Sequence, residues 1–331
     1  MNIEHDPRLT SAELGYLWSA YQGDTMSVCV FTHFLQHIED SNIKVLLEHA
    51  MDLSQQHIEI IRNIFDKEGV KVPQGFIEDD DVNLTANRLF SDIFYLYYVK
   101  NMAKGGLATH SISLPNNFRK DILSFNSKCL TSAIELHNEA AEIMLQKGIA
   151  TRPPYIPYPK EIEFVHKQSF ILEMLGSRSL EATEVTNLYS NLLTNNFGSC
   201  IAAGFAQTTN SKEVRDYFLR GRGIALKQKK VFEDYLESHS LPTPTILAIN
   251  QDVMPIAESP FSEKLMMYHF GLMCHTGVGN YGIAISASMR SDLITDYSRL
   301  IMEVLKYSED GLNIMIKNGW FERPPMISYK E

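Results

Sequence analysis

The chain has 331 residues, of which 44% are hydrophobic, so it is long and apolar enough to bury two cores of ordinary domain size. Its formal net charge is −10, and no run of Lys and Arg offsets that charge locally. Because a negatively charged protein is repelled by phosphate backbones, we expect no nucleic-acid partner.

Two helices are predicted in the first 70 residues. Apolar side chains recur at spacings of three and four through residues 10–39, which is the pattern of a helix with one buried stripe. The cap-type residues Asp40, Ser41 and Asn42 precede a second periodic run, residues 43–67. Gly69 follows this run and is typical of a helix end.

A long connection separates these helices from two more. Residues 70–81 contain Pro73 and an acidic run, and their length predicts a crossover rather than a tight turn. The third helix is predicted at residues 83–113. The fourth is predicted at 117–147, with Ala133, Ile134 and His137 on its buried stripe.

The chain then repeats itself at an offset of 171 residues. Each half closes with an Arg-Pro-Pro phrase, at residues 152–154 and 323–325. A repeat of this length is a whole domain, so we predict two domains, residues 1–160 and 170–331. Matching positions include Glu13 and Glu184, Cys29 and Cys200, Asp81 and Asp252, Gly106 and Gly277, Arg119 and Arg290, and Asp121 and Asp292.

Several features favour a cytoplasmic protein. Residues 1–7 lack the basic and apolar pattern of an export signal, and the four cysteines are widely spaced, as expected of reduced buried thiols. The stretch 265–289 has no charged residue and is long enough to span a bilayer, which takes about 20 residues. Its repeat partner contains Lys100 and Lys104, however, so we expect a central helix and no membrane association.

The third helices, of which the second contains the uncharged stretch 265–289, also suggest how the two halves associate. We predict that the two bundles pack on each other through helices 83–113 and 262–289 about an approximate two-fold axis. Association of whole chains into a homo-oligomer is left open by the sequence.

The closing Arg-Pro-Pro phrases and the repeat length resemble an uncharacterised family, described only as a domain of unknown function, from spore-forming Gram-positive bacteria. The four long helices with a crossover between the second and third are similar to those of the ferritin-like superfamily. The resemblance implies an all-α fold of two tandem ferritin-like four-helix bundles. It implies no reaction.

A ferritin-like di-iron centre needs two Glu-x-x-His pairs, because residues three apart share one helix face. Here, the corresponding positions read Ser54-x-x-His57 and Ile134-x-x-His137, so both glutamates are missing. In the second half, Gln228 and Ser308 replace the histidines. A single divalent metal ion held by His57 and His137 is the remaining metal hypothesis, against two hydrogen-bonded core histidines.

A second histidine pair, His33 and His37, has metal-compatible spacing on one helix face. Its partners in the second half are Gly204 and Thr208, and such a pair is more often found on a surface or at an interface. No nucleophile elbow or phosphate-binding loop is present in the sequence.

The sequence therefore favours a non-enzymatic helical structural or interaction protein, related to stress or sporulation and without a cofactor. The alternative is a metal- or small-ligand-binding ferritin-like protein with its site in the first bundle only.

Overall fold

The structure is a computed structural model that describes residues 7–171 and 178–327. The N-terminal residues 1–6, residues 172–177 and the end of the second closing phrase, 328–331, lie outside the described residues. The described chain forms ten α-helices and two single turns of 3₁₀-helix, at Leu114–Asn116 and Gln168–Phe170. The all-α prediction is therefore confirmed.

The chain divides into two compact units. Unit 1 consists of Met1–Ile149, Glu258–Met266 and Asn318–Glu331, and unit 2 consists of Ala150–Ala257 and Met267–Lys317. Two stretches that the repeat register assigns to the second half are therefore part of unit 1.

Unit 1 is built on four long helices, with a short helix in the connection between the second and third. These helices are α1 (Ser11–His37), α2 (Ser41–Glu68), the short α3 (Glu78–Asp81), α4 (Asp92–Ser113) and α5 (Lys120–Gln146). Helix α1 packs on α2, α4 packs on α5, and α2 contacts both α4 and α5. One part of the core contains Leu17, Tyr21, Ile61, Ile64, Phe65, Ile122, Phe125 and Cys129.

The helix ends of unit 1 follow local sequence signals. The Thr10 side chain accepts a hydrogen bond from the backbone N–H of Glu13, whose carboxylate accepts one from the Thr10 N–H at 2.8 Å. This reciprocal capping box starts α1. Asp40 caps α2 by accepting from two N–H groups of its first turn, and α2 ends at Gly69, where φ is +65°.

Unit 2 repeats this order of helices. They are α6 (Ala182–Thr208), α7 (Lys212–Glu237), the short α8 (Ile249–Asp252), α9 (Glu263–Ser286) and α10 (Ser291–Lys317). Helix α7 packs on both α6 and α10. The part of α9 from Met267 onward belongs to unit 2. One part of the core contains Val185, Leu188, Leu192, Phe232, Leu236, Tyr281, Leu293, Tyr297 and Leu300.

A stacked pair of tyrosines in unit 2 depends on two glycines. The rings of Tyr217 and Tyr307 lie 4.2 Å apart and nearly parallel. A Cβ on Gly221 would lie 2.3 Å from the hydroxyl oxygen of Tyr307, and a Cβ on Gly311 would lie 2.3 Å from that of Tyr217. The equivalent residues of the first half are Leu46, Leu136, Ala50 and Ala140. The two repeats thus fill matching positions with different combinations of side chains.

The third long helix begins later than the predicted residue 83. Helix α4 starts after Ser91, whose side chain accepts a hydrogen bond from the first turn. Before it, the side chain of Asn83 accepts from the backbone N–H and hydroxyl of Thr85, and the Asn83 N–H donates to the Pro260 carbonyl at 2.8 Å. These hydrogen bonds hold the chain in a non-helical connection.

The buried face of α5 includes Ala133, as predicted, but not Ile134 or His137. Ile134 is 46% exposed, whereas Leu136 is only 4% exposed. His137 is partly exposed. The polar residues Asn126 and Ser132 are also buried on α5, so hydropathy alone does not identify the buried face of this helix.

The uncharged stretch 265–289 lies mostly in α9. Within the described ranges, no helix combines the length and hydropathy that a bilayer-spanning segment requires. All four cysteines are free thiols; Cys29, Cys129 and Cys200 are buried, and Cys274 is partly buried. Burial raises the pKa of the Cys29 and Cys200 thiols to about 12, as for inert core residues.

Candidate functional site

A cluster of polar side chains lies inside unit 1 and receives one residue from each of the four long helices. On α1, Oδ2 of Asp24 lies 3.5 Å from Nδ1 of His57 on α2. Asn126 of α5 hydrogen-bonds His110 of α4, and the charges of Asp24 and His57 both act on His110. We call these four residues the polar core cluster.

Two members of the polar core cluster are buried and two are partly exposed, and one hydrogen-bonding group is unsatisfied. His57 is 7% exposed and Asn126 is 3% exposed. Nε2 of His57 is buried and has no hydrogen-bond partner in the described part of the chain. Burial lowers the pKa of His110, an effect that Asp24 opposes and His57 reinforces. An unpaired buried nitrogen costs free energy.

Unit 2 carries a neutral network at the equivalent positions. Asp24, His57 and His110 are replaced there by Asn195, Gln228 and Tyr281. The Tyr281 hydroxyl donates to Oε1 of Gln228 at 2.6 Å and accepts from Nδ2 of Asn195 at 2.8 Å. The ionisable side chains of unit 1 thus correspond to neutral, hydrogen-bonded side chains in unit 2.

The two predicted metal ligands, His57 and His137, lie in different surroundings. His57 is buried beside Asp24, whereas His137 is partly exposed on α5, with Nδ1 3.5 Å from Oδ1 of Asn138. Among the residues that the structure describes, no group of three or more His, Cys, Asp or Glu side chains is placed to hold a metal ion. Metal binding at His57 and His137 stays a prediction.

The histidine pair at 33 and 37 lies inside unit 1, and the expectation of an exposed pair is corrected for His33. The two rings are 4.6 Å apart, and Nε2 of each faces the Ala86 carbonyl oxygen, at 3.4 Å for His33 and 3.1 Å for His37. His33 is fully buried, and burial together with His37 lowers its pKa to about 4. These contacts place the pair against the connection before α4.

Buried glutamates that the two repeats share tie helix ends together. Besides capping α1, Glu13 accepts a hydrogen bond from the backbone N–H of Arg119, at the start of α5, at 3.1 Å. Its counterpart Glu184 accepts from the N–H of Arg290, at the start of α10, at 3.3 Å. Glu13 is 2% exposed and Glu184 is fully buried. Each carboxylate therefore joins two helix N-termini, where negative charge is stabilising.

Three further pairs of shared charged residues also make equivalent contacts in both units. Arg119 makes two hydrogen bonds of 2.8 Å to Asp121, while Arg290 bonds Asp292 at 3.0 and 2.6 Å. Asp81 accepts from the N–H that precedes α3 at 2.9 Å, and Asp252 accepts from the N–H that precedes α8 at 2.7 Å. The repeated charges thus hold helix ends.

A family model described as "Protein of unknown function (DUF3231)" matches the chain twice, at residues 1–162 and 169–331. The chain belongs to the DUF3231 family. Two successive matches of one model mean that the chain carries the family's sequence pattern twice and over nearly its whole length.

Comparison with solved structures finds a protein of Bacillus halodurans that is provisionally described as a spore coat protein. It is 18% identical to this DUF3231 chain with a TM-score of 0.42, and the match covers 46% of this chain and 98% of that one. A likeness at this level carries no conclusion about function. No curated protein is significantly similar to the chain.

Sequence reasoning found one member of the polar core cluster, His57, and missed Asp24, His110 and Asn126. The signal that could have found two of them is the comparison of the repeats. Asp24 and His110 are ionisable residues whose partners at an offset of 171 are Asn195 and Tyr281. Asn126 carries no such mark, because an isolated amide is unremarkable on a helix.

Proposed function

We propose that the protein is a non-enzymatic helical structural or interaction protein. The shared buried acids, Glu13 and Glu184, support this proposal, because both are fully used in joining helix ends within their own units. The hydrogen bonds of both residues therefore support the fold of their own units.

The observation that carries the proposal is the neutral network of unit 2. The same arrangement of helices holds Asn195, Gln228 and Tyr281 where unit 1 holds an ionisable set. The fold is therefore retained without the chemistry of the polar core cluster. A protein whose role depends on its helical surfaces has no need of that chemistry.

The chain itself supplies a matched variant for the test. Asp24→Asn/His57→Gln/His110→Tyr gives unit 1 the residues of unit 2. We expect this triple variant to fold, to melt within a few degrees of the wild type, and to restore the phenotype of a strain from which the gene is deleted. A variant that folds normally but fails to complement would contradict the proposal.

The alternative is a metal- or small-ligand-binding protein with its site in the first bundle only. The unpartnered Nε2 of His57 beside Asp24 is the observation in its favour. Elemental analysis of protein purified without a His-tag tests it. Stoichiometric Fe, Mn or Zn that is lost in both His57→Ala and His137→Ala would establish this alternative and overturn the structural role.

We also propose that each unit is a ferritin-like four-helix bundle, supported in unit 1 by the long connection between α2 and α4. The prediction that the halves pack through helices 83–113 and 262–289 is tested by introducing cysteine pairs on them and measuring disulfide cross-linking.

The resemblance to a family of spore-forming bacteria makes sporulating cells the first setting to examine. A fluorescent fusion that stays in the cytoplasm or collects on the forespore distinguishes the two locations.

A further inference from the structure

Helix α10 of unit 2 carries an apolar stripe on its solvent-facing side. Four large side chains are exposed there: Met302 (65%), Leu305 (46%), Leu312 (44%) and Ile316 (61%). With about 100° of rotation per residue, they lie opposite the buried side chains of the same helix, such as Leu300 and Val304. We call these four exposed residues the α10 stripe. Burial of such an apolar surface against a partner is favourable.

The spacing of the α10 stripe is that of a helix that packs on another helix. Its members follow one another at steps of three, four, three and four residues, once Glu309 in the middle is included. These steps are the a and d positions of a coiled coil, which stay on one side of a helix over successive turns. The stripe therefore fits a second helix better than it fits a flat or irregular surface.

The centre of the α10 stripe holds two exposed charges of opposite sign, Lys306 and Glu309. Neither makes an ion pair within the part of the chain that the structure describes. The other charged side chains of α10 are all paired within unit 2: Asp292 with Arg290, Asp296 with Arg299, Glu303 with Lys227, Asp310 with Arg220 and Lys317 with Glu213. Lys306 and Glu309 are therefore the charges of α10 that remain available to a partner.

The pattern of the α10 stripe is complementary to itself. Two members of the stripe precede the charged pair and two follow it. When two α10 helices lie antiparallel about a two-fold axis, Met302 meets Ile316 of the second copy. Leu305 then meets Leu312, and Lys306 meets Glu309, all in the same register to within one turn. The apolar residues are covered and two ion pairs form.

We propose that the α10 stripe is a homodimer interface, in which α10 packs antiparallel on α10 of a second copy and Lys306 pairs with Glu309 across the two-fold axis. The stripe is about 21 Å long, so two of them cover less than the roughly 1,200 Å² of a small stable interface. The dimer is therefore weak and forms at high local concentration. The inference rests on the proposed structural or interaction function and names its partner, a second copy of this chain.

Charge reversal tests the pairing in the full-length protein. Lys306→Glu brings two carboxylates together at each pair, and Glu309→Lys brings two ammonium groups together, so each variant alone should dimerise at least about tenfold more weakly than the wild type. In an equimolar mixture, a carboxylate faces an ammonium group at both pairs. We therefore expect 1:1 mixed dimers, at least about tenfold more abundant than the dimers of either variant alone. Sedimentation velocity measures the dissociation constants, and native mass spectrometry of isotope-labelled and unlabelled chains measures the composition.

The first repeat supplies a matched test of the apolar contacts. Met302→Thr/Leu312→Ala introduces the residues at the equivalent positions there, Thr131 and Ala141. Because a symmetric interface contains each change twice, this double variant should weaken the dimer by at least about tenfold. Leu226→Gln, which changes a 40% exposed leucine on α7 to the residue of the first repeat, should dimerise like the wild type. All these side chains are exposed, so melting followed by circular dichroism should show that every variant is folded.

Several results would overturn the proposal. One is a wild type that stays monomeric up to a concentration of about 1 mM. Others are a dimer that the double variant leaves unchanged, and a mixture of the charge variants with no more dimer than its components. Binding of wild-type monomers to phosphatidylglycerol vesicles, lost in the double variant, would assign the stripe to a lipid surface instead. The triple variant of unit 1 changes no residue of α10, so the structural function and the dimer can fail independently.

Discussion

Gly311→Ala tests whether the tyrosine pair and the glycines of unit 2 depend on each other. The added Cβ would lie 2.3 Å from the hydroxyl oxygen of Tyr217 and 2.7 Å from its Cζ, well inside an ordinary contact of about 3.5 Å. Tyr217 must then move by about 1 Å, although it is stacked on Tyr307 and its carbonyl accepts a 3.0 Å hydrogen bond from Tyr307.

The expected cost follows from two opposing effects. Overpacking a core costs about 1–3 kcal/mol, and the upper end applies because a stacked ring is displaced. Alanine is favoured over glycine within a helix by about 1 kcal/mol. We therefore expect Gly311→Ala to lower the free energy of unfolding by about 2 kcal/mol, measured by urea denaturation followed by circular dichroism.

The first repeat supplies the compensating residue, since Leu46 occupies the position of Tyr217 and Ala140 that of Gly311. In a Tyr217→Leu background, Gly311→Ala should therefore be neutral or stabilising, with a coupling energy of about 2–3 kcal/mol. Gly223→Ala, on α7 with no atom within 4 Å of the new Cβ, should stabilise the protein by about 0.5–1 kcal/mol. An equal cost of Gly311→Ala in both backgrounds would refute the steric argument.

Three further changes follow from single sites. Burial lowers the pKa of His33 from 6.5 to about 4, so on acidification the unfolded chain takes up a proton before the folded protein does. Between pH 7 and pH 4 the wild type should therefore lose about 3 kcal/mol more of its free energy of unfolding than His33→Asn loses. Urea titrations at each pH measure both losses. Burial raises the pKa of Glu13, but hydrogen bonds at two helix starts lower it overall, so Glu13→Gln should flatten the loss of thermal stability below pH 4.5. Gly75→Ala, which strains φ and clashes, should lower the melting temperature more than Gly69→Ala, where φ is also positive but space is open.

The helices could be predicted from the sequence because their apolar residues keep a regular spacing over many turns. The predicted second helix, 43–67, differs from the observed Ser41–Glu68 by only one or two residues at each end. The start of α4 depends on the local cap Ser91 and also on Asn83, which is held by the Pro260 carbonyl, far away in the sequence. Local periodicity has no access to such a contact.

The polar core cluster could be predicted only in part, because its four side chains come together from different helices. Asp24, His57, His110 and Asn126 lie on four different helices. Spacing within one helix identifies residues that share a face, but it does not tell which faces meet. Spacing therefore predicts His137 on α5 as the partner of His57, whereas His57 lies beside Asp24 on α1.

The comparison of the repeats separates what the fold needs from what it tolerates. The helix-end acids Glu13 and Glu184 are identical, and each accepts hydrogen bonds from two helix starts of its own unit. The tyrosine pair of unit 2 is a second way of filling equivalent core positions, so difference alone does not mark a functional residue. The polar core cluster is different in kind, because its ionisable side chains Asp24, His57 and His110 are replaced in unit 2 by Asn195, Gln228 and Tyr281. Any chemical asymmetry between the two cores should therefore be sought in unit 1.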